Sequence, residues 1–474
     1  MENWTVLISF LLLLLGVFVL RKMWLGALLA ILFILVSKAI PEQNFEFAFI
    51  PMISGSVIAV ELAMLLFGAF MFYNILESNG HFSKFIEVNT SFSSKLFVVL
   101  LLGIFMGGFM EGIAGFGIPA MLIAPLLLTL EFKPLTSIVL PLAANTTAVT
   151  FGALGTPLKV GFEIYETDQT VLFTLALNCL PAFILPFLLA FIFSKTEQTS
   201  IDYRRDWKML AGAGVSFAIP YFLAGLVSVE YPSVVAGFIG LLLFVSFFLE
   251  KSQRPSISFW LSTFYPYLIL VVLLMAAKFL LSSFTLQIQE KARSFSLYQP
   301  GLIFILTSLV YLIILGKKHL GAHFFSQSKE TLSKTGKSMA TIFLLVCFAQ
   351  LVQGDLLATI NSHYLDLSPT TKIILNPLIG VMGSFISGSA TMSNLLFGSA
   401  IGADGSAGII LPLLLALLHT GSAIGNAISL QNIIMVKSVV NQPQIGYGKI
   451  LKFNMLVVGL YLVLAILVGF TIQH

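Results

Sequence analysis

The sequence predicts an all-α polytopic membrane protein whose halves form an inverted-topology repeat, each with one re-entrant helical hairpin and one broken transmembrane helix. Three observations lead there. Of 474 residues, 58% are hydrophobic and only 10% are Asp, Glu, Lys or Arg, against about 25% charged in a typical soluble domain, so the surface suits lipid better than water. Apolar runs of spanning length recur along the chain. Two small-residue stretches, 107–117 and 383–394, interrupt that pattern and align at an offset of 276 residues.

Taken in chain order, spans are predicted near 4–20, 23–40, 57–77, 170–193, 207–228, 232–249, 260–282, 300–315, 338–357 and 450–472. Trp4, Trp24, Trp207 and Trp260 stand at or near the edges of such runs, where aromatic anchors belong. The first run is preceded only by Glu2 and followed by Arg21 and Lys22, the reverse of a signal peptide, which predicts a retained helix with its N-terminus outside. Basic loops face the cytoplasm; they hold Lys195, Arg204, Arg205 and Lys208, then Lys251 and Arg254, then Lys317, Lys318, Lys329, Lys334 and Lys337. Glu42, Glu46, Glu163, Glu166, Asp168, Glu230, Asp355 and Asp366 mark the other side. The alternation closes only if 96–130 and 370–403 each turn back within the membrane. These are the two hairpins.

After each hairpin comes a long apolar span broken at its middle, 134–157 and 410–436. The 276-residue offset also carries 57–77 onto 333–353 and 170–193 onto 446–469. The predicted organisation is therefore a first repeat at 1–195, connecting helices at 196–259 and a second repeat at 260–474. Inverted repeats of this kind are the usual build of ion-coupled, elevator-like secondary transporters. Gly-rich segments also pack closely in any membrane bundle, which is the competing reading.

Several functions are excluded. The stretches without membrane character, around 194–208, 283–299 and 316–337, are too short for an independent core. The net charge of +4 is spread over loops without a basic stripe, so no nucleic acid is expected as a partner. Cys179 and Cys347 lie in apolar runs far from other ligand residues and read as small core hydrophobes. No metal site, no cofactor and no enzymatic nucleophile is expected; neither an H-E-x-x-H run nor paired intramembrane aspartates occur.

Irregular backbone at membrane depth is tolerated only inside protein or beside a cavity, so four such breaks in symmetric positions imply one shared cavity. Hairpin tips and half-helix N-termini present N–H groups and partial positive charge suited to a small anion. The tips carry Gly115, Phe116 and Gly117 in the first hairpin and Ser387, Gly388 and Ser389 in the second. Asn145, Thr146, Thr147, Thr391, Ser393 and Asn394 supply amides and hydroxyls to orient such an anion. The alternative for these polar residues is interhelical hydrogen bonding. Buried ionisable groups need a reason. Glu111 at the first tip is the first candidate for proton coupling, and capping of the next helix competes with that role. His419 is the second candidate, with a neutral structural histidine as its alternative. Glu61 and Lys278 read as interfacial or paired charges.

The run Glu111-Gly112-Ile113-Ala114-Gly115-Phe116-Gly117-Ile118-Pro119, then Ala144-Asn145 and Phe151-Gly152-Ala153-Leu154-Gly155-Thr156-Pro157, resembles the L-lactate permease family. So do Gly383 to Ser389, Ser393 to Gly398, and Gly425-Asn426-Ala427-Ile428-Ser429 with Asn432-Ile433, in the family's order. Ala390-Thr391-Met392 stands where the family pattern is more polar. The resemblance implies a bacterial plasma-membrane transporter that moves a short monocarboxylate, L-lactate or glycolate, in symport with protons by alternating access. A sodium-coupled carrier of small organic anions is the rival, because unwound carbonyls suit a hard cation. A channel is disfavoured by the inverted halves. Lipid is the expected surroundings, and a homodimer is expected by analogy alone.

Overall fold

The computed structural model describes residues 2–20, 22–42, 45–81, 94–115, 117–162, 165, 167–249, 256–281, 283–290, 292, 294–316, 320–364, 366–402, 410–440, 442 and 444–473. These are helical almost throughout, as the unbroken apolar runs require. Six described helices are long and apolar enough to cross a membrane, eight if each of two bent pairs counts as one span. The runs near 4–20, 23–40, 232–249, 260–282 and 300–315 form shorter apolar helices. Trp4, Trp24 and Trp207 are exposed, as anchors at a lipid surface are. The chain divides into two compact units, one from Met1–Val88 with Pro255–Thr359, the other from Asn89–Arg254 with Ile360–His474.

The first unit contains α1 (Glu2–Phe18), α2 (Met23–Glu42), α3 (Glu46–Ser78), α4 (Ile257–Leu281), α5 (Pro300–Ile314) and most of α6 (Leu320–Tyr364). Small residues let its backbones touch: a Cβ on Gly68 of α3 would stand 2.1 Å from the Gly301 carbonyl oxygen of α5. Two short strands, β1 (Thr285–Leu286) and β2 (Phe295–Ser296), pair antiparallel, with Thr285 opposite Ser296. Glu61 Oε1 accepts from the Ser296 amide at 3.2 Å and from Gln299 Nε2 at 3.0 Å. It is thus tied to the segment ahead of α5, while the side chain of Lys278 lies outside the described residues. The basic stretch before 338 was expected as a loop, yet α6 is helical from Leu320. A buried polar contact holds it: Asn74 Nδ2 donates to Thr331 Oγ1 at 2.9 Å, and the half-exposed Lys334 reaches Asn74 Oδ1 at 3.3 Å and Glu330 at 2.8 Å.

The second unit holds both hairpins and both broken helices. The first hairpin climbs through α7 (Lys95–Leu100), a π-helical stretch (Leu101–Met106) and α8 (Gly107–Ala114), and returns through α9 (Ile118–Thr129). Its base is closed by Lys95 Nζ donating to the Glu131 carbonyl at 2.9 Å. The first broken helix follows as α10 (Pro134–Ala144), α11 (Thr146–Val149) and α12 (Gly152–Phe162), bent by 57°. Then come α13 (Asp168–Glu197), α14 (Tyr203–Gly225) and α15 (Pro232–Phe248). The second hairpin is α16 (Pro369–Ser387) and α17 (Ala390–Gly402), the second broken helix α18 (Ile410–Gly425), a 3-10 turn (Asn426–Ile428) and α19 (Leu430–Val439), with α20 (Tyr447–Gln473) last. Phe244 of α15 stacks on Phe97 at 4.8 Å and on Phe105 at 5.0 Å, seating the first hairpin. Cys347 is a buried core residue of the first unit, as expected. Cys179 differs: it lies half-buried on α13, on a face only partly covered by its neighbours.

Candidate functional site

The first hairpin turns on two glycines in the left-handed region, Gly115 at φ +64° and Gly117 at φ +74°. A side chain at either would be strained. Gly117 is the N-cap of α9 and has no side chain to cap it; Pro119 carries no amide hydrogen, so the first turn of this helix presents the Ile118 and Ala120 amides. Glu111, 2% exposed, ends one turn before the tip. Its Oε2 accepts from Asn145 Nδ2 at 2.9 Å, and the Gly117 amide faces the same carboxylate. Asn145 is where α10 gives way to α11. Glu111 Oε1 faces Gly152, where a Cβ would come within 2.8 Å of it. The backbone then passes through three left-handed residues, Ala153, Leu154 and Gly155. Two of these are not glycine, so this break stores backbone strain beside the carboxylate.

The second break brings a third wall. Asn432, 1% exposed, stands in the first turn of α19. Its Nδ2 donates to Asn426 Oδ1, to the Asn426 carbonyl at 3.3 Å and to the Gly388 carbonyl at 3.4 Å. Asn426 Nδ2 also reaches the Gly388 carbonyl, at 3.5 Å. Gly388, at φ +75°, is the tip of the second hairpin. The other end of the Asn432 amide faces the first tip: its Oδ1 lies 3.1 Å from where a Cβ on Gly117 would stand. Asn432 therefore contacts both hairpin tips.

Of the residues singled out in the sequence, the structure brings together Glu111, Gly115, Gly117, Asn145 and Gly388 around this junction. Phe116 lies outside the described residues. The hydroxyls mostly serve neighbouring backbone and side chains. Thr146 Oγ1 donates to the Ala143 carbonyl at 3.0 Å, and Thr147 shares a 2.6 Å bond with Tyr461. Ser387 donates to the Gly383 carbonyl at 2.7 Å, and Ser389 Oγ accepts from the Met392 amide at 3.4 Å, capping α17. Ser393 donates to the Gly380 carbonyl at 3.0 Å, while Thr391 is buried. Asn432 and Asn426 were absent from the expected site set, although their signal was in the sequence: two asparagines within six residues of a membrane-depth break.

Asn394 and His419 form a second polar cluster. Asn394 Nδ2 donates to the Pro157 carbonyl at 2.9 Å and to His419 Nδ1 at 2.8 Å, and His419 Nε2 donates to the Thr150 carbonyl at 2.8 Å. With Nδ1 accepting and Nε2 donating, the ring is a neutral imidazole with both nitrogens satisfied. It ties α18 to the first broken helix and to α17. Thr150 and Pro157 flank the strained residues, so this ring braces the break. His419→Leu is expected to orphan the Thr150 carbonyl and one Asn394 hydrogen at about 1–3 kcal/mol each. A clearly lowered melting temperature in detergent is the expected readout; an unchanged one refutes the bracing role.

Lys159 of α12 pairs with Glu230, which is only 3% exposed, in the turn before α15. Glu230 was expected among acidic loop charges; it is buried because the Gly155 turn packs directly on Val229, where a Cβ would meet the carbonyl oxygen at 2.6 Å. The ion pair holds the exit of the first break to that turn.

The chain is similar to known transport proteins. A family profile described as L-lactate permease matches residues 5–259 and 258–474. A Haemophilus influenzae protein provisionally named an L-lactate permease is 26% identical, the match covering 87% of each chain. Glycolate permease GlcA of Escherichia coli K12 is 25% identical over 79% of this chain and 78% of its own. The Alcanivorax borkumensis YdaH transporter structure covers 90% of this chain and 88% of that one at 14% identity, with a TM-score of 0.47. With its apolar spanning helices and a profile match along nearly its whole length, this chain is an integral membrane protein that belongs to the L-lactate permease family.

Proposed function

We propose that the protein transports L-lactate or glycolate in symport with protons, by alternating access, in a bacterial plasma membrane. One observation carries this reading: a buried carboxylate, Glu111, occupies the amide-lined junction at the hairpin tips where a substrate anion would bind. Two carboxylates cannot share so dry a place while both are ionised. Binding the anion therefore requires a proton on Glu111, and the pair crosses as a neutral unit. In the anion-free form the Asn145 amide serves the Glu111 carboxylate. Once Glu111 is protonated, the Asn145 N–H donors turn to the substrate carboxylate. Proton and anion thus stabilise each other's binding, as symport requires.

The hairpins and broken helices, which share one compact unit, supply the moving body of this proposal. The test is accumulation of labelled L-lactate in proteoliposomes under an inward proton gradient with equal sodium on both sides. Accumulation above the external concentration is the expected result. Accumulation under a sodium gradient alone would replace the proton with sodium, and transport of neither acid would leave the family fold without this substrate.

A further inference from the structure

We infer that Asn432 is a specificity-determining residue whose side-chain oxygen receives a hydroxyl hydrogen from the substrate. The inference rests on the monocarboxylate reading above and adds the group that selects a 2-hydroxy acid. Asn432 stands 1% exposed between the tips of the two hairpins. The orientation of its amide is set by its surroundings. Nδ2 faces three acceptors, Asn426 Oδ1, the Asn426 carbonyl and the Gly388 carbonyl. Exchanging the nitrogen and oxygen would set acceptor against acceptor three times over. The oxygen is thereby aimed at Gly117, the N-cap of the 12-residue α9, and has no hydrogen-bond partner among the described residues.

Two neighbouring features give this oxygen its use. The Ile118 and Ala120 amides at the start of α9 are donors and suit a carboxylate. The Asn432 oxygen beside them can only accept, so it disfavours a carboxylate and needs a donor. A 2-hydroxy monocarboxylate brings both groups on adjacent carbons: acceptor oxygens for the helix start and a single O–H for Asn432. Pyruvate has the same size but turns a carbonyl oxygen towards the Asn432 oxygen, and propionate has nothing to offer it. A site that buries an acceptor for a substrate hydroxyl rejects analogues lacking that hydroxyl strongly.

The experiment compares initial uptake of labelled L-lactate, pyruvate and propionate in proteoliposomes holding the native chain, Asn432→Ala or Asn432→Ser. The native protein is expected to favour lactate over both analogues by about 100-fold or more in kcat/KM. Asn432→Ala is expected to cut that preference at least about tenfold, through loss of lactate uptake with propionate uptake retained. Asn432→Ser, which keeps a small polar group there, serves where the alanine variant fails to insert. A role limited to tying the hairpin tips together would slow all three acids alike and leave the preference intact, which overturns the inference. Equal native uptake of pyruvate and lactate overturns it as well, without recourse to a variant. If the native chain carries none of the three, the monocarboxylate reading itself fails and takes this one with it.

Discussion

Glu111→Gln is expected to abolish proton-driven accumulation of L-lactate while lactate counterflow continues. Glutamine has nearly the shape of a protonated glutamate, and its amide oxygen can still accept from Asn145 Nδ2, which lies 2.9 Å from the native carboxylate. The substitution therefore imitates the proton-loaded site. With no negative charge to neutralise, the anion binds and exchanges without a proton, and the gradient no longer does work on it. A gradient of one pH unit is worth about 1.4 kcal/mol, or a tenfold accumulation for one proton per anion. In the variant the internal-to-external lactate ratio should settle at that of a passive carrier. Parallel measurements of net uptake and counterflow decide the matter. Loss of both would make Glu111 a binding or capping group, and retention of both would remove it from coupling. Uptake by the native protein should also rise as the external solution is acidified at constant membrane potential, since loading requires the proton; in the variant that dependence should vanish.

Gly421→Leu is expected to have the largest effect on stability. A Cβ on Gly421 would stand 2.0 Å from the Pro377 carbonyl oxygen, and one on Gly380 would stand 2.0 Å from the Leu418 carbonyl oxygen. At this crossing α16 and α18 meet backbone to backbone, as small residues permit inside a membrane bundle. Neither obstacle is a flexible side chain, so the helices must separate. Overpacking typically costs about 1–3 kcal/mol, and a clash with backbone belongs at the upper end of that range. Thermal unfolding in detergent should show a drop of several degrees, with the second hairpin displaced from the broken helix behind it. Gly459→Leu is the control, because a Cβ there meets nothing within 4 Å, and it should melt like the native protein. Equal melting of the two variants would show that the crossing is looser than the structure has it.

The helical class, the apolar runs and the positions of the breaks were legible in the sequence because each is a local property. Gly115, Gly117 and Gly388 announce turns that only glycine makes without strain, and a lone acid such as Glu111 is conspicuous in an apolar stretch. The helicity of 320–337 was not legible. Its charged composition resembles a loop, and the contact that orders it, Asn74 with Thr331, joins residues far apart in the chain.

The site divides along the same line. Residue type marked out a polar junction between broken segments, since a bilayer leaves unpaired backbone and charge no other place to go. Which polar groups face that junction was a matter of donors and acceptors meeting in three dimensions. Thr146, Thr147, Ser387 and Ser393 have the right chemistry, yet their hydroxyls bond to neighbouring backbone or to Tyr461. His419 has both ring nitrogens engaged in bracing the first break. Asn432 is one amide among several in the sequence, and it becomes distinctive only because Asn426 and Gly388 hold its nitrogen and turn its oxygen to Gly117. Hydrophobic length and glycine placement, each read one segment at a time, mark a helical membrane protein with a polar junction at its breaks, and the order of its motifs carries the resemblance to the L-lactate permease family. Which donors and acceptors remain unengaged at that junction depends on the folded arrangement, because whether a hydroxyl or amide turns to its own helix, as Thr146 and Ser387 do, or to a remote segment, as Thr147 and Asn432 do, is fixed by packing that residue type does not record.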